Sequence, residues 1–249
     1  MGLTIHYTFK AALTRTADIR IMVESLRQFA RDLPFKEVGD LVEFEGAAVD
    51  YQSSGKDDEH RWLKIQAGQY VDDPRSSGTS YTVKPQHIVA FSTWPGDGCE
   101  PANFGFCRYP ASIKVGSRRL ATHLAGWRWR SFCKTQYASD PQCGGIENFL
   151  RCHLCVVKLL DFATKTGLMD VEVSDEGDFW EHRDLKKLAE TVGEWNEFIA
   201  AIAGQVNDAA KSLGIVGEAA IAGFQNFEHL EAKGLERLAR LRADKDRHD

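Results

Sequence analysis

The chain has 249 residues, of which 43% are hydrophobic, and a net charge of −5 at pH 7. This length and apolar content are enough for a substantial core, which excludes disorder as the main state. The acidic balance excludes a general attraction to nucleic acid or to anionic membranes, so we expect no membrane association and no nucleic-acid partner.

The distribution of apolar residues and cysteines indicates a compartment. No run approaches the roughly 18 apolar residues that span a bilayer, and the chain begins with an alternating strand pattern that has none of the features of a secretion signal. Without such a signal the cysteines are expected to be reduced thiols. We therefore expect a soluble, cytoplasmic protein with six free cysteines: Cys99, Cys107, Cys133, Cys143, Cys152 and Cys155.

The first part of the chain predicts a β-α-β unit. Residues 3–10 alternate apolar and polar side chains, as a half-buried strand does. Residues 16–33 carry apolar side chains at helical spacing and end before Pro34, which predicts a helix. A second strand is predicted at 40–45, and a third at 61–71 between two polar loops.

The rest of the chain predicts a β-rich centre followed by helices. Strands are predicted at 81–83, 87–93, 104–109, 112–115, 127–137 and 170–173. A helix at 147–166 is apolar around most of its circumference, which indicates burial against a sheet. A long amphipathic helix from Leu185 to Val206 and a helical segment at 217–242 complete the chain, which ends in a charged tail.

These elements predict an α+β fold: a mixed sheet built from two weakly repeated β-α-β units, with a β-rich centre and long C-terminal helices. The repeat relates 3–10, 16–33 and 42–46 to 127–137, 147–166 and 171–173, and coincidence is the alternative. We expect one α+β domain over residues 1–213, with pseudo-repeat halves 1–100 and 101–213. Residues 214–249 are expected to form a helical extension with a charged tail.

The second unit carries the predicted functional site. In a β-α-β unit the carboxyl ends of the strands and the helix N-terminus meet at one edge of the sheet. Glycines before the helix, Gly144 and Gly145, would let an anion approach the helix amides. The same field would lower the pKa of Cys143 and make it a reactive thiolate. Cys143 and Lys134 are therefore the predicted catalytic residues, with Lys134 neutralising the charge of a substrate.

Charge is unevenly distributed around this edge. Residues 101–139 contain arginines and lysines but no acidic residue, whereas residues 170–184 are mainly acidic. Arg128, Arg130 and Tyr137, together with the two glycines, are predicted to bind a phosphorylated or otherwise anionic substrate. Asp175 and Glu176 are predicted to hold Mg²⁺ or Mn²⁺. The alternative is that the two charge clusters pair with each other or are solvated.

Two further patterns are given structural explanations. Alternation places Trp127 and Trp129 on the opposite sheet face from Arg128 and Arg130, which predicts core tryptophans and surface arginines. Cys152-His153-Leu154-Cys155 has a C-x2-C spacing, but it lies inside an apolar helix, so Zn²⁺ is less favoured than buried packing. His153 is predicted to be a hydrogen-bonded core histidine.

The sequence supports two hypotheses of function. The first is an enzyme that binds an anionic substrate with the help of a divalent metal. The second is a non-catalytic interaction or assembly protein whose C-terminal helices dock a protein partner.

Overall fold

The fold is seen in a computed structural model, which describes residues 3–52, 55–212 and 220–245. The strands are β1 Thr4–Ala11, β2 Glu37–Val38, β3 Val42–Glu45, β4 Gln69–Asp72, β5 Ser80–Val83, β6 His87–Trp94, β7 Ala102–Arg108, β8 Ser112–Val115, β9 Arg118–Ala121, β10 Trp127–Lys134 and β11 Met169–Asp175. The α-helices are α1 Thr16–Arg31, α2 Arg61–Gln66, α3 Gly145–Lys165, α4 Phe179–His182, α5 Leu185–Ser212 and α6 Phe227–Lys245.

The main sheet has seven strands among the described residues, in the order β11-β1-β10-β7-β6-β2, and β3 also pairs with β6. Neighbouring strands in it are antiparallel. Because β10 and β11 are both antiparallel to β1, they run in the same direction with β1 between them. The α+β fold class is confirmed. The second strand-helix-strand unit is a split β-α-β unit, because β1 lies between its two strands.

Helices α1 and α3 supply the main apolar layer against this sheet. In α1 the buried residues recur at helical spacing, from Ile19 through Met22, Val23 and Leu26 to Ala30. The two helices meet through a stack of Phe29 on Phe162, with ring centroids 4.1 Å apart. The prediction of a buried helix near 147–166 is confirmed.

The alternation predicted for β10 is also confirmed. Trp127 and Trp129 are each 1% exposed, whereas Arg130 is exposed to solvent. The indole Nε1 of Trp129 donates a hydrogen bond to the carbonyl oxygen of Asn103 at 2.8 Å. The tryptophans therefore belong to the core, and the arginines lie on the other face of the sheet.

Strands β10 and β7 pair only at Trp127 with Arg108 and at Arg128 with Cys107. Beyond these pairs, a buried polar network links the two strands. The side chain of Gln66, from α2, accepts hydrogen bonds from Asn103 Nδ2 and Ser131 Oγ, both at 2.7 Å.

The strand predicted at 61–71 is wrong over its first half, which is helix α2, and its second half is β4. The buried residues of this segment have helical spacing: Leu63, Lys64, Gln66 and Ala67. Two of the four are polar, so hydrophobicity alone does not show the helical period.

The C-terminal helices pack on each other and on the domain body. Leu188 and Val192 of α5 belong to the main core. A second apolar cluster further along contains Ala200 and Ala203 of α5, Ile221 and Phe224 from the segment just before α6, and Leu230 of α6. Gly234 of α6 lies so close to α5 that an added Cβ would be 1.9 Å from the carbonyl oxygen of Glu197. The predicted extension is therefore a helix docked on α5, although 214–219 and 246–249 lie outside the described residues. Within the described ranges, no helix has the length and apolarity needed to cross a bilayer.

Candidate functional site

The two carboxyl strand ends of the split unit meet at one end of the sheet, as the β-α-β geometry predicts. Lys134 is the register partner of Thr4, and Asp175 is the partner of Ile5. Because successive strand residues point to opposite faces, Lys134 and Asp175 lie on opposite faces of the sheet. The shared edge therefore does not bring these two side chains into one pocket.

Asp175 belongs to a closed hydrogen-bonded cluster. Its Oδ2 is 3.0 Å from Nε2 of His153, and Nδ1 of the same ring is 3.0 Å from Oγ1 of Thr135. Backbone amides of Gly177 and Trp180 also donate to the carboxylate, at 2.8 and 3.0 Å. Burial alone would raise the pKa of Asp175, but the hydrogen bonds from His153 and the two amides hold it below its usual range.

A hydroxyl, an imidazole and a carboxylate in this order have the connectivity of a nucleophile, a base and an orienting acid. The side chains of His153 and Asp175 are fully buried, and Thr135 is 0% exposed. No substrate reaches a nucleophile in such a position, so the cluster fixes α3 to β11 and to the turn after it. The prediction that His153 is a satisfied core histidine is confirmed.

Glu176 points away from Asp175. Its Oε2 accepts a hydrogen bond from the amide of Thr4 at 2.9 Å, and its Oε1 is 3.9 Å from Nε2 of His6. Both oxygens of Asp175 are already engaged with protein donors. The structure therefore does not assemble the metal pair predicted at Asp175 and Glu176.

The loop around Cys143 has the positive-φ backbone that its glycines predict, but the electrostatic field at the thiol differs from the predicted one. Cys143 ends a short 3-10 turn, and Gly144 and Gly145 have φ values of 106° and 67°, which favour glycine. Burial raises the pKa of Cys143, and Asp140 and Asp97 raise it further. The pKa of Cys143 is therefore shifted in the opposite direction from the prediction, because burial and the nearby carboxylates disfavour the thiolate.

Lys134 and Tyr137 lie together, apart from this loop. Nζ of Lys134 is 3.4 Å from the hydroxyl of Tyr137 and 4.5 Å from its ring centroid. The ring of Tyr137 in turn meets Phe224 edge to face. These contacts place Lys134 next to the C-terminal helices.

The exposed face of β1, β10 and β11 carries a groove of about 570 Å³. Thr8 lies at its centre, with Arg130 opposite on β10 and Glu172 opposite on β11. His6 and Ser174 also line the groove. Among the described residues, neither a hydrogen bond nor an ion pair engages the guanidinium of Arg130. The predicted pairing of the basic and acidic clusters therefore does not occur at this arginine.

A second cluster, which the sequence analysis did not identify, lies between β3 and β6. Glu43 and Glu45 are two residues apart on β3, and Glu45 is the register partner of His87 on β6. Nε2 of His87 is 2.8 Å from Oε1 of Glu43, and Nδ1 is 2.9 Å from Oε1 of Glu45. One potential ligand atom from each of the three residues lies within 4.8 Å of the others.

His87 is the buried part of this cluster. It is 1% exposed, and its ring packs on Trp127 at a centroid distance of 5.0 Å. Oε1 of Glu45 lies near Nδ1, but the contact does not have the angle that a hydrogen bond requires. Nδ1 therefore has no hydrogen-bond partner among the described residues. A buried nitrogen without a partner is costly, which makes this atom a candidate ligand.

The two glutamates differ in their surroundings. The side chain of Glu43 is 24% exposed and that of Glu45 is 67% exposed, so the cluster opens to solvent on the side of Glu45. Burial alone would raise the pKa of Glu43, but Arg20 and His87 hold it below its usual range. Arg20 binds Oε2 of Glu43, which leaves Oε1 facing His87.

The strand pattern of β3 contains part of the signal for this cluster, because residues 43 and 45 must share one face of a strand. The histidine comes from a strand more than forty residues later, and only the sheet register brings it opposite Glu45.

The six cysteines are free thiols, as expected. No protein-family model, curated protein or solved structure matches this chain.

Proposed function

We propose that this chain binds a divalent transition-metal cation through Glu43, Glu45 and His87. The observation that supports this proposal is the buried Nδ1 of His87, which lies beside a carboxylate oxygen but has no hydrogen-bond partner in the described part of the chain. Two carboxylates and one imidazole offer three ligands of suitable type within a small volume.

The ligand set favours some cations over others. Imidazole suits Zn²⁺ and related ions, whereas Mg²⁺ prefers oxygen ligands and retains its waters. Mn²⁺ accepts both carboxylate and imidazole, and the general order of affinities places Zn²⁺ above Mn²⁺. We expect Zn²⁺ to bind more tightly than Mn²⁺ and Mg²⁺ to bind least.

The side of the cluster that faces solvent would let water reach a bound cation. Three protein ligands leave positions for water, and Glu45 lies at the solvent boundary. A cation held by these residues would lower the pKa of its bound water and would supply a nucleophile for hydrolysis. The enzyme hypothesis therefore moves from Cys143 to this cluster.

Binding of Mn²⁺, followed by electron paramagnetic resonance, tests the proposal. Mn²⁺ is the better probe because thiols are poor ligands for it, so the cysteines do not compete. We expect the wild-type chain to bind Mn²⁺, and Glu43→Gln and Glu45→Gln each to weaken binding by at least about tenfold. Glu176→Gln is the matched control and should bind like the wild type.

Three outcomes contradict the proposal. These are the absence of Mn²⁺ binding by the wild-type chain, unchanged binding by Glu43→Gln and Glu45→Gln, and loss of binding by the control variant alone. The last result would return the metal site to the carboxyl end of β11. Because metal ligands must be deprotonated, we also expect binding to weaken as the pH falls.

A second proposed function is binding of a small anion in the groove on the exposed sheet face. The observation that favours it is Arg130, whose guanidinium has no partner within the described part of the chain. Pyrophosphate is a suitable probe, and we expect Arg130→Ala to weaken its binding while the exposed Arg119→Ala does not. Equal binding by the two variants would exclude the groove.

Docking of a protein partner on the C-terminal helices stays a prediction. Part of the apolar surface of α5 is used for α6, and Tyr137 also packs against the cluster between them. Ile202 and Leu235 remain partly exposed, at 38% and 39%.

A further inference from the structure

Arg108 of β7 lies next to His87 of the proposed metal site. The two residues are register partners, and neighbouring strands are about 4.8 Å apart. Because register partners point to the same face of a sheet, the side chains of Glu45, His87 and Arg108 form one row across β3, β6 and β7. The histidine therefore has a carboxylate on one side and an arginine on the other.

The indole of Trp127 keeps the arginine and the histidine near each other. The centroid of its ring is 5.8 Å from Cζ of Arg108 and 5.0 Å from the centroid of the His87 ring. Trp127 is 1% exposed, and its Nε1 donates a hydrogen bond to the carbonyl oxygen of Thr14 at 3.2 Å. Trp127 thus gives both side chains a fixed surface, while Arg108 itself is exposed to solvent.

The guanidinium of Arg108 is available to a ligand. It makes neither a hydrogen bond nor an ion pair with any residue that the structure describes. Arg20, a second arginine near the cluster, is held by Glu43 through its Nε and Nη2. Arg128 follows Trp127 on β10, so it points to the opposite face, and its Nε donates to a backbone carbonyl group. Arg108 can therefore turn toward a ligand without losing a hydrogen bond.

The charge of the site with a bound cation favours a dianion. The two carboxylates balance a divalent cation, and a histidine that binds a metal is neutral. The charges left over are those of Arg20 and Arg108, which are both positive. A phosphomonoester carries a charge of about −1.5 to −2 at pH 7, whereas a carboxylate or a sulfonate carries a single charge. Without the cation, the two glutamates balance the two arginines, so the site has no excess positive charge.

We propose that the ligand of this site is a phosphomonoester, an inference that rests on the proposed function. One phosphoryl oxygen binds the cation, and two others accept hydrogen bonds from Arg108, whose planar guanidinium matches the spacing of phosphate oxygens. The phosphoryl group thus bridges the cation and Arg108. The coupling is reciprocal: the cation raises the affinity for the phosphoryl group, which raises the affinity for the cation by the same factor.

Phenylphosphonate is the probe, because it has the charge and shape of a phosphomonoester but no ester bond to hydrolyse. In the full-length chain loaded with Mn²⁺, the relaxation rate of the phosphorus nucleus reports binding next to the cation. We expect fast relaxation in the wild type and binding at least about tenfold weaker in Arg108→Ala. Arg108→Lys keeps the charge but not the planar fork, so it should weaken binding less. Benzenesulfonate, with a similar shape and a single charge, should compete poorly.

Mn²⁺ affinity without phosphonate separates this inference from the proposed function. It should stay within about threefold of the wild type in Arg108→Ala, because the arginine is exposed and is not a ligand. In the wild type, phenylphosphonate should raise it. Arg119→Ala, which removes another exposed arginine, is the matched control and should change neither affinity.

The outcomes that contradict the inference are distinct. A wild-type chain that does not bind Mn²⁺ would remove the proposed function and this inference together. A chain that binds Mn²⁺ but holds phenylphosphonate equally well with and without Arg108 would overturn this inference alone. Loss of phenylphosphonate binding in Arg130→Ala but not in Arg108→Ala would place the anion in the groove on the opposite face, and would also overturn it.

Discussion

Replacement of Asp175 with asparagine should destabilise the fold strongly. The carboxylate accepts hydrogen bonds from His153, from the amide of Gly177 and from the amide of Trp180. Asparagine has nearly the same shape, so the change removes charge and one acceptor without leaving a cavity. The amide nitrogen that replaces Oδ2 would face two donors, His153 Nε2 and the amide of Trp180.

The expected cost follows from burial and partner number. The side chains of Asp175 and His153 are both 0% exposed. Each buried donor left without an acceptor costs about 1–3 kcal/mol. We therefore expect the two unsatisfied donors in Asp175→Asn to lower the free energy of unfolding by about 2–6 kcal/mol.

Urea unfolding followed by circular dichroism measures this loss. Asp170→Asn is the matched control, because Asp170 is exposed on the same strand, and it should change stability by less than about 0.5 kcal/mol. A loss below about 1 kcal/mol in Asp175→Asn would refute the structural role of the cluster.

The carboxylate of Asp175 is also expected to make the free energy of unfolding depend on pH. Its pKa is lower in the folded chain than its ordinary value of 3.8, so its ionised form stabilises the fold above that value. This contribution is lost as the pH falls through the folded pKa. Asp175→Asn should lack this part of the acid sensitivity, and identical acid profiles of the two proteins would contradict the assignment.

Three further predictions concern other parts of the chain. Gly234→Ala places a Cβ against a main-chain carbonyl of α5 and should cost about 1–3 kcal/mol in thermal or urea unfolding. Gly193→Ala, which has open space around it, should instead stabilise α5 by about 0.5–1 kcal/mol, and equal effects of the two would argue against close helix packing. Tyr7→Phe removes a buried hydrogen bond of 2.7 Å and should cost about 0.5–1.5 kcal/mol in urea unfolding, so an unchanged midpoint would be evidence against that bond. Cys155, whose pKa burial raises to about 11, should resist iodoacetamide at pH 8 in the native chain, and rapid alkylation seen by mass spectrometry would contradict its burial.

Local periodicity made much of the fold predictable. The alternation in β1 and β10 identified strands and placed Trp127 and Trp129 in the core. Helical spacing identified α1 and α3, and the apolar surroundings of His153 identified it as a core residue. These features depend on neighbours within a few residues, which the sequence displays directly.

Features that depend on distant residues were less predictable. Helix α2 was missed because Gln66, on its buried side, hydrogen-bonds to residues of β7 and β10. The pKa of Cys143 was predicted in the wrong direction because its burial, and its proximity to Asp140 and Asp97, depend on how the chain folds around it. The same reason explains why Glu43 and Glu45 were read only as strand residues: their partner His87 is set by the sheet register.

The most direct test of the proposed function is anomalous diffraction from crystals grown with Mn²⁺. The proposal predicts an anomalous peak within coordination distance of a ring nitrogen of His87 and of carboxylate oxygens of Glu43 and Glu45. A peak beside Asp175 and Glu176 instead, or none between β3 and β6 at saturating Mn²⁺, would contradict it.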